Sequence, residues 1–199
     1  MRAEKTSPPM TVEEFLDWAE GREGRYELED GAVIAMAPER VVHARVKARS
    51  YLAVAGAIDR SGAPCEAFVD SIAVRIAAAT SYVPDVLVQC GEQLRGEARE
   101  ATAPVVVVEV LSPSTAYRDA SAKLAGYFRV AALHHYLIVD PGRRLVIHHS
   151  RGVQDVIETR LLAEGDLVLD PPGLTVSIAD MLGPEETVSE ESIPLGTEP

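Results

Sequence analysis

The segment Pro104-Val-Val-Val-Val-Glu-Val-Leu111 narrows the choice of fold most. An unbroken run of β-branched apolar residues reads as a strand covered on both faces, because a half-exposed strand would place a polar residue at every second position. Helical periodicities lie on either side of it, so the expected class is α/β, with one central mixed sheet flanked by helices. A chain of 199 residues that is 47% apolar and 25% charged has room for a substantial core, and wholesale disorder is excluded. No stretch approaches the roughly 20 apolar residues needed to span a bilayer, so no membrane partner is expected. Met1 to Met10 lacks the apolar centre of a secretory signal, which makes the cytoplasm the expected location. Two cysteines, Cys65 and Cys90, make no disulfide framework, and no C-x-x-C or H-E-x-x-H spacing suggests structural zinc.

Residues 1–9 read as a flexible lead, 10–183 as a single domain and 184–199 as a disordered acidic tail. Thr11 with Glu14 three residues later is a capping-box signature that opens a helix from about Val12 to Glu20. Two strands joined at Asp30-Gly31 follow. From Glu39 to about Asp59, Val41, Ala44, Ala48, Tyr51, Leu52, Ala55 and Ile58 recur at helical spacing, with Arg45, Lys47 and Arg49 mostly off that stripe. Strands are expected at 65–69, 72–76, 83–90, 104–111, 133–139, 143–149 and 153–161. A helix over about 116–130, capped by Ser112-Pro-Ser-Thr115, should follow the apolar strand, and a short strand and helical turn should end near Leu182.

The formal net charge is -12, but the acid is concentrated at the ends. Residues 1–30 hold 4 basic and 9 acidic side chains and residues 151–199 hold 2 and 11, leaving 13 basic against 11 acidic between them. Any anion-binding surface should therefore lie in the middle of the chain, although acidic ends also serve solubility alone. Within that middle, Glu109 interrupts the apolar strand, and a buried carboxylate is costly unless it is paired, hydrogen-bonded or bound to metal. Asp85, after Pro84 at a strand edge, offers a second carboxylate. Two such groups on adjacent strands would be hard oxygen ligands suited to Mg²⁺ or Mn²⁺. The plainer readings are a solvated acid at Asp85 and a buried arginine partner for Glu109. Lys123 reads either as a surface lysine paired with Asp119 or as a cation beside the two carboxylates. Glu27 lies on the first hairpin strand, and His43 shares a helix face with Lys47. The doublets His134-His135 and His148-His149 cannot chelate alone, because consecutive strand residues point to opposite faces. Gly-x-Ser-x-Gly, Gly-x-Gly-x-x-Gly and Walker patterns are absent from the sequence.

Six short motifs occur in order: Tyr26-Glu-Leu-Glu-Asp-Gly31, Met36-Ala-Pro38 followed by His43, Tyr82-Val-Pro-Asp-Val86, Val108-Glu-Val-Leu-Ser-Pro-Ser-Thr115, Asp119-Ala-Ser-Ala-Lys123 with Tyr127, and Tyr136-Leu-Ile-Val-Asp-Pro141. Together, from about Met10 to Gly183, they resemble the Uma family of restriction-endonuclease-like proteins within the PD-(D/E)XK nuclease superfamily. The resemblance implies a restriction-endonuclease-like core and metal-dependent hydrolysis of DNA. Asp85 and Glu109 would be the metal-binding acids, the main-chain carbonyl of Val110 a further ligand, and Mg²⁺ or Mn²⁺ the cofactor. The superfamily's lysine two residues after the glutamate is replaced here by Leu111, and Lys123 from the following helix takes its place. By motif position, Glu27 and His43 would be accessory catalytic groups at the rim. The stretch Arg129-Val-Ala-Ala-Leu-His-His135 departs from the family pattern, and only a surface turn should change. DNA is the implied substrate, with RNA or a smaller phosphodiester as another possibility, and a homo-oligomer, most simply a dimer, is expected. The rival expectation is a catalytically inactive module that keeps the nuclease fold for binding or assembly, which the acidic charge favours.

Overall fold

The computed structural model describes residues 9–111 and 118–184. Its centre is a six-stranded mixed sheet in the order β10-β9-β8-β7-β6-β3, formed by Cys65–Val69 (β3), Val86–Cys90 (β6), Pro104–Val110 (β7), His135–Asp140 (β8), Leu145–Arg151 (β9) and Ile157–Leu162 (β10). β7 and β8 run parallel, and every other pairing in this sheet is antiparallel. The apolar run at 104–110 is thus an interior strand. Val106, Val108 and Val110 enter one core with the helix Val41–Ser61 (α2), while Val107 enters the opposite core with Tyr127 of the helix Arg118–Tyr127 (α3).

A second, four-stranded antiparallel sheet sits beside the first, in the order β2-β1-β5-β4: Tyr26–Glu29 (β1), Ala32–Ala35 (β2), Val74–Ala77 (β4) and Thr80–Tyr82 (β5). The turn between β1 and β2 has positive φ at both Asp30 and Gly31, which explains the Asp-Gly pair. A side chain on Gly31 would also strike the backbone of Pro9 and Met10. The helix Val12–Ala19 (α1), with the capping box at Thr11 and Glu14, closes a small third core over Leu28. A hairpin of Asp166–Leu169 (β11) and Leu174–Ser177 (β12), followed by the helix Ile178–Leu182 (α4), packs with α2 on the first core.

Several expectations need correction. The strand expected over 83–90 starts only at Val86, after Pro84, which has no N–H to give a ladder, and the preceding Thr80–Tyr82 forms β5 of the other sheet where no strand was expected. Cys65 and Cys90, opposite each other across β3 and β6, form a disulfide where the count of cysteines had suggested none. The largest correction concerns α2. Its predicted apolar stripe is not its buried face: Val41 and Leu52 are each 66% exposed, while His43, Lys47 and Ser50 are buried. In the first half of the helix Val46 joins the apolar core, but His43 and Lys47 on the same buried side lie against charged groups, so hydrophobic periodicity pointed the wrong way there. The expected cap at 112–115 and the Lys123–Asp119 pairing lie outside the described residues and side chains, as do the lead at 1–8 and the tail at 185–199.

Candidate active site

α2 covers one face of the central sheet and α3 the other, and both reach the end of β7 where Glu109 and Val110 lie. Alternation along β7 sends Glu109 toward the α3 side with Val107, while Val110 packs with the α2 side. A cavity of about 310 Å³ opens at this point. Glu27, His43, Asp85, Glu109, Val110 and Lys123, all singled out in the sequence, line it.

Asp85 is buried at the entrance to β6. Its Oδ2 accepts the Val110 N–H at 2.7 Å, tying the start of β6 to the end of β7. The Val110 carbonyl in turn accepts a hydrogen bond from His43 Nε2 at 2.7 Å. A carbonyl cannot donate, so this contact places a proton on Nε2. Nδ1 lies 3.2 Å from Glu39 Oε2 but is not aligned for a hydrogen bond and is buried without one. Asp85 Oδ1 faces two cations, Lys47 Nζ at 3.2 Å and Arg25 at 3.5 Å.

Those cations form a network that sequence reasoning missed. Lys47 bonds both oxygens of Asp70, at 2.7 and 2.9 Å, and contacts Glu39; Arg25 contacts Glu39 and Asp70. Burial alone would lower the Lys47 ammonium, but its bonds to Asp70 and Glu39 raise it overall. Burial would raise the Glu39 carboxyl, and the Lys47 bond and charge reverse that and lower it. The available signal was the i,i+4 spacing of Glu39, His43 and Lys47, which puts His43 and Lys47 on one face of α2 with Glu39 just before its start. Donor atoms of Glu39, His43 and Asp85 lie within 4.8 Å of one another, a possible metal-binding cluster.

On the α3 side, Lys123 Nζ bridges two carboxylates, Glu27 Oε1 at 2.9 Å and Glu109 Oε1 at 3.0 Å. Glu109 Oε1 also accepts the Tyr127 hydroxyl at 2.7 Å, and Glu27 Oε1 accepts the Val83 N–H at 3.0 Å. Glu27 is therefore buried within the cluster rather than standing at its rim. The partner of Glu109 is a lysine and a tyrosine, not the arginine that the packing reading allowed. Gly126 lets α3 come this close: a Cβ there would lie 2.8 Å from the Tyr82 ring. Burial first, with the neighbouring charges of Asp85 and Glu27, pushes the Glu109 carboxyl up to about 7 against the opposing pull of Lys123 and Tyr127. Burial works against the Lys123 ammonium, yet Glu109 and Glu27 hold it well above its ordinary value. Lys123 is thus a fixed cation at neutral pH.

The histidine doublets stay outside the cavity but are not idle surface groups. One member of each meets the other, His135 Nδ1 to His148 Nε2 at 2.9 Å, and burial lowers both to about 4. The departure at 129–135 therefore reaches the core, with Leu133 and His135 buried, and is more than a surface turn.

Three comparisons bear on this geometry. The sequence model of the Uma2 family, described as "Putative restriction endonuclease", matches residues 12–181. The "Uncharacterized protein slr1290" of Synechocystis sp. is 29% identical over 173 residues, covering 86% of this chain and 90% of that one. The crystal structure of a "putative nuclease belonging to DUF820" from Anabaena variabilis superposes with a TM-score of 0.70 at 19% identity, covering 87% of this chain and 98% of the other. At that identity the superposition speaks for the fold, and it supports the restriction-endonuclease-like core with its central mixed sheet. No helix among the described residues is long and apolar enough to cross a membrane.

Proposed function

The chain belongs to the Uma2 family, and on that premise we propose that it is a divalent-metal-dependent nuclease that hydrolyses DNA phosphodiester bonds. The observation that carries this reading is convergence. Six positions spread from Glu27 to Lys123 line one cavity, although their chain segments belong to two sheets and two helices.

The donors suit a hard cation. Asp85 and Glu109 offer carboxylates and Val110 a carbonyl, which keeps one lone pair free while it accepts from His43. Burial first, then the charges of Asp85 and Glu27, raises the Glu109 carboxyl despite Lys123, and a divalent cation beside it would favour its ionised, ligating form. When bound, Mg²⁺ or Mn²⁺ supplies Lewis acidity toward a phosphate oxygen and stabilises the leaving alkoxide. Lys123 contributes a permanent ammonium that orients a phosphate or an attacking water. Its raised affinity for its proton leaves it unsuited to accept one at neutral pH. Tyr127 and Lys123 hold one Glu109 oxygen in place, and Glu27 fixes the position of Lys123. His43 and the Val110 peptide set the position of Asp85.

The test is cleavage of plasmid and short duplex DNA by purified protein with Mg²⁺ or Mn²⁺, alongside Asp85→Ala, Glu109→Ala and Lys123→Ala. Each substitution should reduce cleavage by about 10²-fold or more, as expected for removing a group that stabilises transition-state charge. Undiminished cleavage by all three would end the assignment. A second reading, a nuclease fold retained for binding or assembly, is favoured by one observation: both Asp85 oxygens are already engaged by Val110, Lys47 and Arg25. Titration with Mn²⁺ separates the two readings, since an inactive module has no Mn²⁺ binding that Asp85→Ala removes.

A further inference from the structure

The central sheet ends at β10, and this edge is unusual among the described strands. Ile157 to Glu158, Thr159, Arg160 and Leu161 are all exposed, with only Leu162 half-buried. β10 pairs with β9 along six consecutive residue pairs without a bulge, so its outer backbone groups form a long regular edge. Natural edges of this kind are usually blunted by charged side chains, lysine above all, or by proline, a bulge or a covering element. Of these, among the described residues, β10 has only the charges of Glu158 and Arg160. The segment 157–162 has neither proline nor lysine, and it carries apolar groups: Leu161 is 68% exposed, and Val153 and Val156 just before the strand are 83% and 57% exposed.

The sequence of the edge is complementary to itself. Two copies joined antiparallel through one edge are related by a two-fold axis perpendicular to the sheet, and residues set opposite one another then lie on the same face. Only every second register satisfies that condition. One such register sets Glu158 against Glu158 of the partner subunit, and another sets Arg160 against Arg160 of the partner subunit. The register between them, centred on Thr159, sets Glu158 against Arg160 of the partner subunit and Ile157 against Leu161 of the partner subunit, each twice by symmetry. Opposed charges and opposed apolar groups both stabilise a cross-strand pair, while like charges directly opposite destabilise it. Within one chain, Glu158 and Arg160 lie only at 3.8 Å and largely in solvent, so little is lost when they exchange partners.

We propose that β10 is a self-docking edge through which two copies of this chain join their central sheets antiparallel, with Thr159 at the two-fold axis. The occupant is a second copy, selected by the Glu158–Arg160 complementarity. Nothing in this inference depends on the nuclease reading, because the edge lies at the far side of the sheet order from β6 and β3.

Sedimentation velocity and light scattering on the full chain at increasing concentration test it. The wild type should be dimeric. Glu158→Arg alone and Arg160→Glu alone each place like charges opposite one another twice and should raise the dissociation constant about 10-fold or more. The double exchange E158R/R160E restores opposite charges in this register and should recover the dimer. Circular dichroism checks that these exposed substitutions leave the fold intact, and amide exchange of the wild type should show protection of 157–162 that grows with concentration. A monomeric wild type would overturn the proposal, as would single variants that dimerise as well as the wild type. So would a double variant no better than the singles, which would locate any dimer elsewhere.

Discussion

The two ends of the cavity handle buried charge differently. Around Asp85, three carboxylates (Glu39, Asp70 and Asp85) are matched by Arg25 and Lys47, with His43 beside them. Around Glu109, two carboxylates share one ammonium among the described residues, that of Lys123. Each end thus holds one more carboxylate than cation among the described residues, but at the first end two cations spread over several contacts hold the acids in place. The second depends on one ammonium, and burial first, with the charges of Asp85 and Glu27, leaves the Glu109 carboxyl raised. At the Glu109 end, added positive charge would favour the ionised carboxylate that burial disfavours.

The largest effect that would break this contrast is on stability. Lys123→Met removes the cation that bridges Glu27 and Glu109 and should cost about 3–5 kcal/mol, the range for stranding one partner of a buried pair. Lys47→Met leaves Arg25 against the same carboxylates and should cost less, about 1–3 kcal/mol. Urea unfolding in chelator-containing buffer measures both, and a Lys47 variant as damaged as the Lys123 variant would show that the two ends are not different in kind.

A smaller effect lies in the pH dependence. The Glu109 carboxyl is raised from 4.5 to about 7 in the folded chain. Between those values the native state holds a proton that the unfolded state releases, so this group's contribution to stability falls as pH rises through the window. Glu109→Gln should flatten that part of the profile and leave the chain relatively more stable at pH 7.5 than the wild type, compared with pH 5. Thermal unfolding without metal at the two pH values is the measurement, and an unchanged slope would remove Glu109 as the source. The smallest effect belongs to Tyr127→Phe. It deletes one hydrogen bond to the carboxylate, costs about 1 kcal/mol and should move the Glu109 transition upward, because that bond opposes the rise.

Much of the second end was legible in the sequence, because Glu109 breaks an apolar run and a carboxylate there needs a partner. Lys123 became legible through the motif order, once Leu111 was seen to occupy the position of the superfamily lysine. The first end was mostly hidden. Lys47 looks like one more base on a polar helix face, and Val41 and Leu52 supplied an apolar stripe that turns out to face solvent. Hydrophobic periodicity assumes that a helix packs on apolar matter, and the start of α2 instead packs on a charged cluster. Arg25 and Asp70 gave no local signal, since their partners lie far away in the chain. The strands were read well where β-branched runs marked them. Thr80–Tyr82, between the strands expected at 72–76 and 83–90, reads as turn but forms β5, and Val83-Pro-Asp85, which reads as strand, is the link between the two sheets.

The bond from Lys123 to Glu27 spans 96 positions, with Asp85 and Glu109 arriving between them. A ribosome that has made the first hundred residues has therefore produced a chain without the ammonium that completes this cluster. Until α3 emerges and docks, Glu27 and Glu109 lack the cation that joins them, so this cluster closes only after β3, β6 and β7 of the central sheet have been synthesised.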